Sequence, residues 1–457
     1  MNHKGNQEPH SKVSRRHFLW TAGASTLGAV ALNACGSEPP ASTTPTATET
    51  PAAVVTPAVT PGTTLTPEVT TAKLGFIALT DSCPLIIAKV KGYFEKYGMK
   101  DVEVTKQASW AVTRDNIVLG SGGGGIDGAH ILTPMPYLIS EGIVTNGKKV
   151  PMFILARLNV NGQGICLSKD YEGQGFTTEA TGLKDAVAKN KAAGKSPKAA
   201  VTFPGGTHDL WMRYWLSANG IEPNKDIELI VVPPAQMIAN VKAGNMDAFC
   251  VGEPWPLQLV NQKLGYNALT TGEFWKDHPE KAFAMRADWV DKHPKAAQAM
   301  LMAVQEAQIW CDDLANAQEL CEILSQREWV NAPVKDIIDR TKGNYDFGDG
   351  RKLENSDLRQ TYWNRASSFP FKSHDLWFVT EDIRWGYFPT STDAKALVER
   401  VNREDIWKEA AKAIGQAAAI PPSSSRGVET FFDKVTFDPE NPEAYLKSLK
   451  LKSLREV

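Results

Sequence analysis

The chain has 457 residues, room for two substantial lobes, with 22% charged and 42% apolar residues and a formal net charge of -2. That balance describes a globular protein and excludes the concentrated basic patch of a nucleic-acid-binding surface. Its 13 tryptophans each combine a large apolar body with one N–H donor, which suits a ligand cleft or a core equally.

The first segment, residues 1–35, reads as a twin-arginine export signal. Ser14-Arg15-Arg16-His17-Phe18-Leu19 precedes an uncharged run through Ala34 that is short for a membrane span. It ends in Leu32-Asn33-Ala34-Cys35, which resembles a bacterial lipobox, where the cysteine is acylated and becomes the new N-terminus. Residues 36–71 are rich in Pro, Thr, Ala and Ser, lack the bulk for a core, and read as an extended tether. This order places the protein at the cell inner membrane, lipid-anchored through Cys35 on the periplasmic side. The other cysteines, Cys83, Cys166, Cys250, Cys311 and Cys321, show no metal-ligand spacing. Cys311 and Cys321 can pair in an oxidising compartment or remain buried thiols.

From Ala72 onward short apolar runs alternate with helical patterns. Strands are expected at 73–79, 101–106, 125–132, 152–158, 199–203, 228–232 and 247–251. Thr80-Asp81-Ser82-Cys83-Pro84 reads as a helix start, with capping residues and an early proline. Helical patterns dominate later, at 294–324, 375–387 and 393–413. The alternation predicts an α/β protein of parallel sheets flanked by helices, in two lobes with a cleft between them. Lobe one is expected to take residues 72–175, lobe two 176–279, and the return to lobe one 280–457.

Ser121-Gly122-Gly123-Gly124-Gly125 lacks the Gly-Lys-Ser/Thr ending of a nucleotide loop and reads as a tight turn. Thr202-Phe203-Pro204-Gly205-Gly206-Thr207-His208-Asp209 leaves a strand, turns and enters a helix, whose first N–H groups suit an anion. On spacing alone it is an ordinary turn with a surface histidine. Gln163, in Asn161-Gly162-Gln163-Gly164, offers an amide beside flexible backbone, and Trp110 stands where a strand gives way to a helix. Lys281 precedes the apolar run Ala282-Phe283-Ala284-Met285, where a lysine is ordinarily solvated. HExxH and GxSxG signatures are absent, and His130, His208, His278, His293 and His374 lie too far apart in sequence to imply a metal cluster. No enzyme, metal or cofactor is expected.

Several longer segments carry a resemblance: KLGFIALTDSCPLIIAKVKGYFEKYGM, KQASW, GGGIDGAHILTPMPYLI, TFPGGTHD, VGEPWP, KSHDLWF and SSSRGVETFFD. Together they resemble the nitrate-binding lipoproteins of bacterial nitrate/nitrite ABC importers, over essentially the whole mature chain. The resemblance implies a two-lobed, C-shaped periplasmic solute-binding fold that captures nitrate or nitrite for an ABC permease and its ATPase. It also implies nitrate contacts at Trp110, Gln163, His208, Gly252 and Lys281. Nitrate is planar and only accepts hydrogen bonds, so a donor-rich site with one positive charge suits it. A related bicarbonate-binding family resembles the chain too, but the position matching Lys281 resembles a glutamate there, working with calcium. A lysine is expected to leave no carboxylate for calcium and to sit partly solvated in an open cleft. The same fold family includes pyrimidine-synthase proteins of thiamine metabolism, which the export signal argues against.

Overall fold

The computed structural model describes residues 65–449. The signal at 1–35 with Cys35, and tether residues 36–64, lie outside them. Ten strands build the two large sheets: β1 (Thr71–Phe76), β2 (Asp101–Lys106), β3 (Gly128–Leu132), β4 (Met152–Arg157), β5 (Gln163–Ser168), β6 (Lys198–Val201), β7 (Glu228–Val231), β8 (Ala248–Gly252), β9 (Gly265–Thr270) and β10 (Lys281–Arg286). The first sheet has the order β2-β1-β3-β10-β4, and the second β7-β6-β8-β5-β9. In each, three parallel strands continue into an antiparallel pairing, β10 against β3 and β4 in the first, β5 against β8 and β9 in the second.

Central strands are buried on both faces, so they read as apolar runs rather than as alternation. All five residues of β3 and of β8 are buried. The glycine run ahead of β3 is structural: a Cβ on Gly125 would stand 2.0 Å from the Asn116 carbonyl oxygen, so only glycine lets the turn fold back on the helix Trp110–Leu119. The long helix Pro294–Asp312 opens on proline at its first position, where the missing N–H costs nothing, and buries its alanine and methionine face beside the helix Cys83–Val90. Among the described residues no helix is long and apolar enough to cross a membrane. The five described cysteines are free and buried, so Cys311 and Cys321 are thiols and not a disulfide.

Three strands depart from the sequence expectation, and two of them, β5 and β10, open on residues of the site. β5 follows an Asn-Gly pair that reads as a turn; β9 carries a buried Asn267 in mid-strand; β10 begins with a charged residue. The chain therefore joins the second sheet at Gln163, well before residue 176, and returns to the first at Lys281.

Candidate functional site

The ends of β3, β5, β8 and β10, the turn after β1 and the start of the helix Thr207–Ala218 meet in one buried polar cluster. Lys281, the first residue of β10, is wholly buried. Its backbone N–H donates to Asn159 Oδ1 at 3.1 Å, which fixes where the side chain leaves the strand. The ammonium reaches three acceptors: Glu280 Oε2 at 2.6 Å, Asp81 Oδ2 at 2.9 Å and Gln163 Oε1 at 3.3 Å. Three N–H groups thus face three oxygens.

Gln163 opens β5, directly opposite Gly252 at the end of β8. Its Nε2 donates to Asp81 Oδ2 at 3.2 Å and to the Asn161 carbonyl at 3.3 Å, which fixes the amide's orientation. Its Oε1 therefore faces His208 Nε2, 2.7 Å away. Because Oε1 can only accept, His208 carries its proton on Nε2, and Nδ1, 2.6 Å from Thr202 Oγ1, accepts from that hydroxyl. Burial and then the Lys281 charge push His208 well below the ordinary histidine range, so its ring is neutral. A Cβ on Gly252 would lie 2.5 Å from Gln163 Oε1 and 3.2 Å from Asp81 Oδ2, so the bare glycine is what allows the amide to stand there.

Asp81 ties the two sheets together. Its turn is latched to the second sheet by Thr80 N–H donating to the Glu253 carbonyl at 2.8 Å and by Trp255 Nε1 donating to the Ala78 carbonyl at 3.2 Å. Asp81 Oδ1 takes a hydrogen bond from His130 Nε2 at 2.6 Å, while the Ile77 N–H donates to His130 Nδ1 at 3.4 Å and fixes that tautomer. Burial pushes the Asp81 carboxyl up, but Lys281 and His130 outweigh it and hold the group below the usual carboxylate range. Trp110, at the first position of its helix, stacks at a tilt on the His130 ring with centroids 5.4 Å apart. Its buried indole N–H has no hydrogen-bond partner. Glu280 completes the cluster, with Oε1 accepting from Trp211 Nε1 at 2.5 Å and Oε2 from Thr207 Oγ1 at 3.1 Å.

Of the five residues singled out from sequence, Gln163, His208, Lys281 and Gly252 converge directly, and Trp110 joins through His130. Three expectations are corrected. Lys281 is not partly solvated; it is buried with two carboxylates, since its strand runs through the middle of the first sheet. Nor is its neighbourhood free of carboxylates, because Asp81 and Glu280 both touch it. His208 is likewise buried rather than on the surface. Asp81 reads from sequence as a capping residue, and Glu280 and His130 carry no local sign of a role in the site. Among the described residues no group of three or more His, Cys, Asp or Glu side chains is placed to hold a metal ion.

Two mixed five-stranded sheets meeting at a buried, donor-rich cluster define a solute-binding protein of the periplasmic type. The chain belongs to the NMT1-like family, which matches residues 65–325. It is 62% identical over 447 residues to the nitrate/nitrite binding protein NrtA of Synechocystis sp., covering 97% of this chain and 99% of that one. It is 46% identical over 450 residues to the bicarbonate-binding protein CmpA of Synechococcus elongatus, covering 96% and 98%. The crystal structure of the periplasmic nitrate-binding protein NrtA from Synechocystis PCC 6803 superposes with a TM-score of 0.83 at 66% identity, over 84% of this chain and 100% of that one.

Proposed function

We propose that this protein captures nitrate, and nitrite with it, outside the cytoplasmic membrane and delivers it to the permease and ATPase of an ABC importer. It is a binding subunit and not an enzyme. The observation that carries this reading is the convergence of two N–H donors, from Lys281 and His208, on the single point now held by Gln163 Oε1. An anion oxygen at that point gains one charged and one neutral hydrogen bond, with the backbone of Gly252 close enough to wall the site. Trp110, with its unpaired indole N–H, supplies a further donor once the neighbouring rings shift. Nitrate fits this pair of donors because it only accepts hydrogen bonds, and the Lys281 ammonium answers its single negative charge. The higher identity to the nitrate-binding relative than to the bicarbonate-binding one favours the same choice.

Anion exchange requires the two sheets to part and close again around the ligand, by hinge rotation. The chain passes between the sheets at 158–162 and 271–280, so these are the hinge segments, and the lobes are best drawn around the sheets they carry. Acylation of Cys35 and the tether of residues 36–71 keep the captured anion near the permease. The Cys35→Ser protein is expected to leave the membrane fraction while its folded part persists; wild-type membrane recovery would reject the anchor. The binding reading is tested by calorimetric titration of the purified protein with nitrate, nitrite and bicarbonate, with and without calcium. Nitrate should bind one to one regardless of calcium, and more tightly than bicarbonate. Calcium-dependent bicarbonate binding tighter than nitrate would overturn it.

A further inference from the structure

The ammonium that an incoming anion needs is already shared. Asp81 and Glu280 both lie within ion-pair distance of Lys281, and both histidines of the cluster are neutral, so the buried site holds one cation against two carboxylates. A captured anion adds a further negative charge in a place closed to water, where like charges cannot be screened. Something in the cluster must gain a proton.

We propose that Glu280 is the proton acceptor of the anion site, so that each anion captured at Lys281 brings a proton from solvent onto Glu280 Oε2. This rests on the anion-binding reading above and deepens it. The hydrogen-bond pattern selects Glu280 over Asp81. Every group facing the Asp81 oxygens is a donor whose hydrogen is committed: His130 Nε2–H, Lys281 Nζ–H and Gln163 Nε2–H. A proton added there would point at another proton. Glu280 is different. Oε1 faces the indole N–H of Trp211, a donor only, but Oε2 lies 3.1 Å from the Thr207 hydroxyl, which can rotate to accept as readily as it now donates. The protonated acid is therefore satisfied without moving a heavy atom.

The charged and titratable groups around Glu280 come from four directions. Lys281 lies beside it on β10, Asp81 in the turn after β1 and Cys250 on β8, while His278 packs over the Trp211 ring with centroids 4.8 Å apart. Burial already pushes the Glu280 carboxyl up, and Lys281 is the main group holding it down. An anion that draws on Lys281 weakens that hold. His208 has its own hydroxyl partner in Thr202, but the same lysine opposes a second positive charge on that ring. Glu280 is thus a positioning residue in the free protein, anchoring Lys281, and the place where charge is balanced in the bound one.

The test is calorimetry of nitrate binding by the whole protein in buffers of differing ionisation heat, which counts protons directly. Near neutral pH the wild type should take up about one proton per nitrate, with affinity rising by up to about tenfold for each unit that pH falls. Glu280→Gln should bind nitrate with no proton uptake and little pH dependence. Where that variant fails to fold, the nitrate-minus-free infrared difference spectrum of wild type with 13C-labelled glutamate answers instead, and should show a protonated glutamate carbonyl appearing on binding. Nitrate heat that is identical in all buffers would overturn the inference while leaving the binding reading intact. Uptake that persists in Glu280→Gln, or an infrared spectrum without the glutamate signal, would overturn Glu280 as the acceptor. Absence of any nitrate binding would overturn both.

Discussion

The two sides of the site are built from different material. The first sheet and its adjoining turns supply Asp81, His130, Glu280 and Lys281, which include every formal charge in the cluster. The second sheet supplies Gln163, Thr202, Thr207, His208 and Gly252, all neutral. Charge sits on one side and oriented dipoles on the other, so the sheets are held across the site by hydrogen bonds to charged groups rather than by opposed ions. Such contacts are strong when dry and readily replaced by water, which suits a cleft that must open. Affinity for the anion is therefore set mainly by one side and its selection by the other.

Substitutions should therefore divide along the same line, with the charged side giving the larger effects. Lys281→Glu gathers three carboxylates in a dry cluster. Loss of a buried charge partner costs about 3–5 kcal/mol, so this variant should lose roughly a hundred- to a few thousand-fold in nitrate affinity and be less stable by a similar free energy. Isothermal titration and urea unfolding read the two effects; wild-type stability with Lys281→Glu would show that the cluster is open to water. Lys281→Gln should fall between the two.

On the neutral side, His208 gives a pH signature. Its folded value is depressed below the ordinary 6.5, so the unfolded chain takes a proton there that the native ring refuses. Its stabilising neutrality is present above pH 6.5 and lost as pH falls below it, by about 1.4 kcal/mol per pH unit at most. The unfolding free energy of His208→Gln should decline less steeply than wild type between pH 6.5 and 5.5, and parallel slopes would place His208 in solvent.

Gly252→Ala tests shape without charge. The added methyl meets Gln163 Oε1, which must leave the His208 and Lys281 N–H groups it now accepts from, so stability should fall by about 1–3 kcal/mol and nitrate affinity roughly tenfold. Equal affinity would mean that the amide's position is unimportant. Trp110→Phe should have the smallest effect. It removes a buried N–H that has no partner in this structure, so stability should hold within about 1 kcal/mol, and affinity should fall three- to tenfold, the worth of one neutral hydrogen bond. A loss as large as that of Lys281→Glu would move Trp110 to the centre of the site.

How far sequence reading reached follows the same division. β1 is plain from its apolar residues, β2 from the alternation of Val102 and Val104 with polar neighbours, and the turn into the helix Thr207–Ala218 from its glycines. Gln163, His208, Gly252, Trp110 and Lys281 came through resemblance to a family, and local pattern alone made most of them ordinary. What escaped was set by long-range topology. Asp81 and Lys281 are 200 residues apart and meet only because β10 inserts between β3 and β4. A charged residue opening a strand looks like a solvated one until its neighbours are known, so the sequence points Lys281 toward water and leaves Glu280 unmarked. The position of β5 was hidden in the same way, behind an Asn-Gly pair that resembles a turn whether or not a strand follows.

The most direct test of the account is a crystal structure of the protein with nitrate bound. The anion should lie between the Lys281 ammonium and the His208 Nε2–H, against Gly252, with the Gln163 amide turned so that Nε2 faces it. Nitrate found instead in the surface groove lined by Lys73, Ser121, Gly122, Arg286 and Lys292, with the buried cluster unchanged, would contradict it.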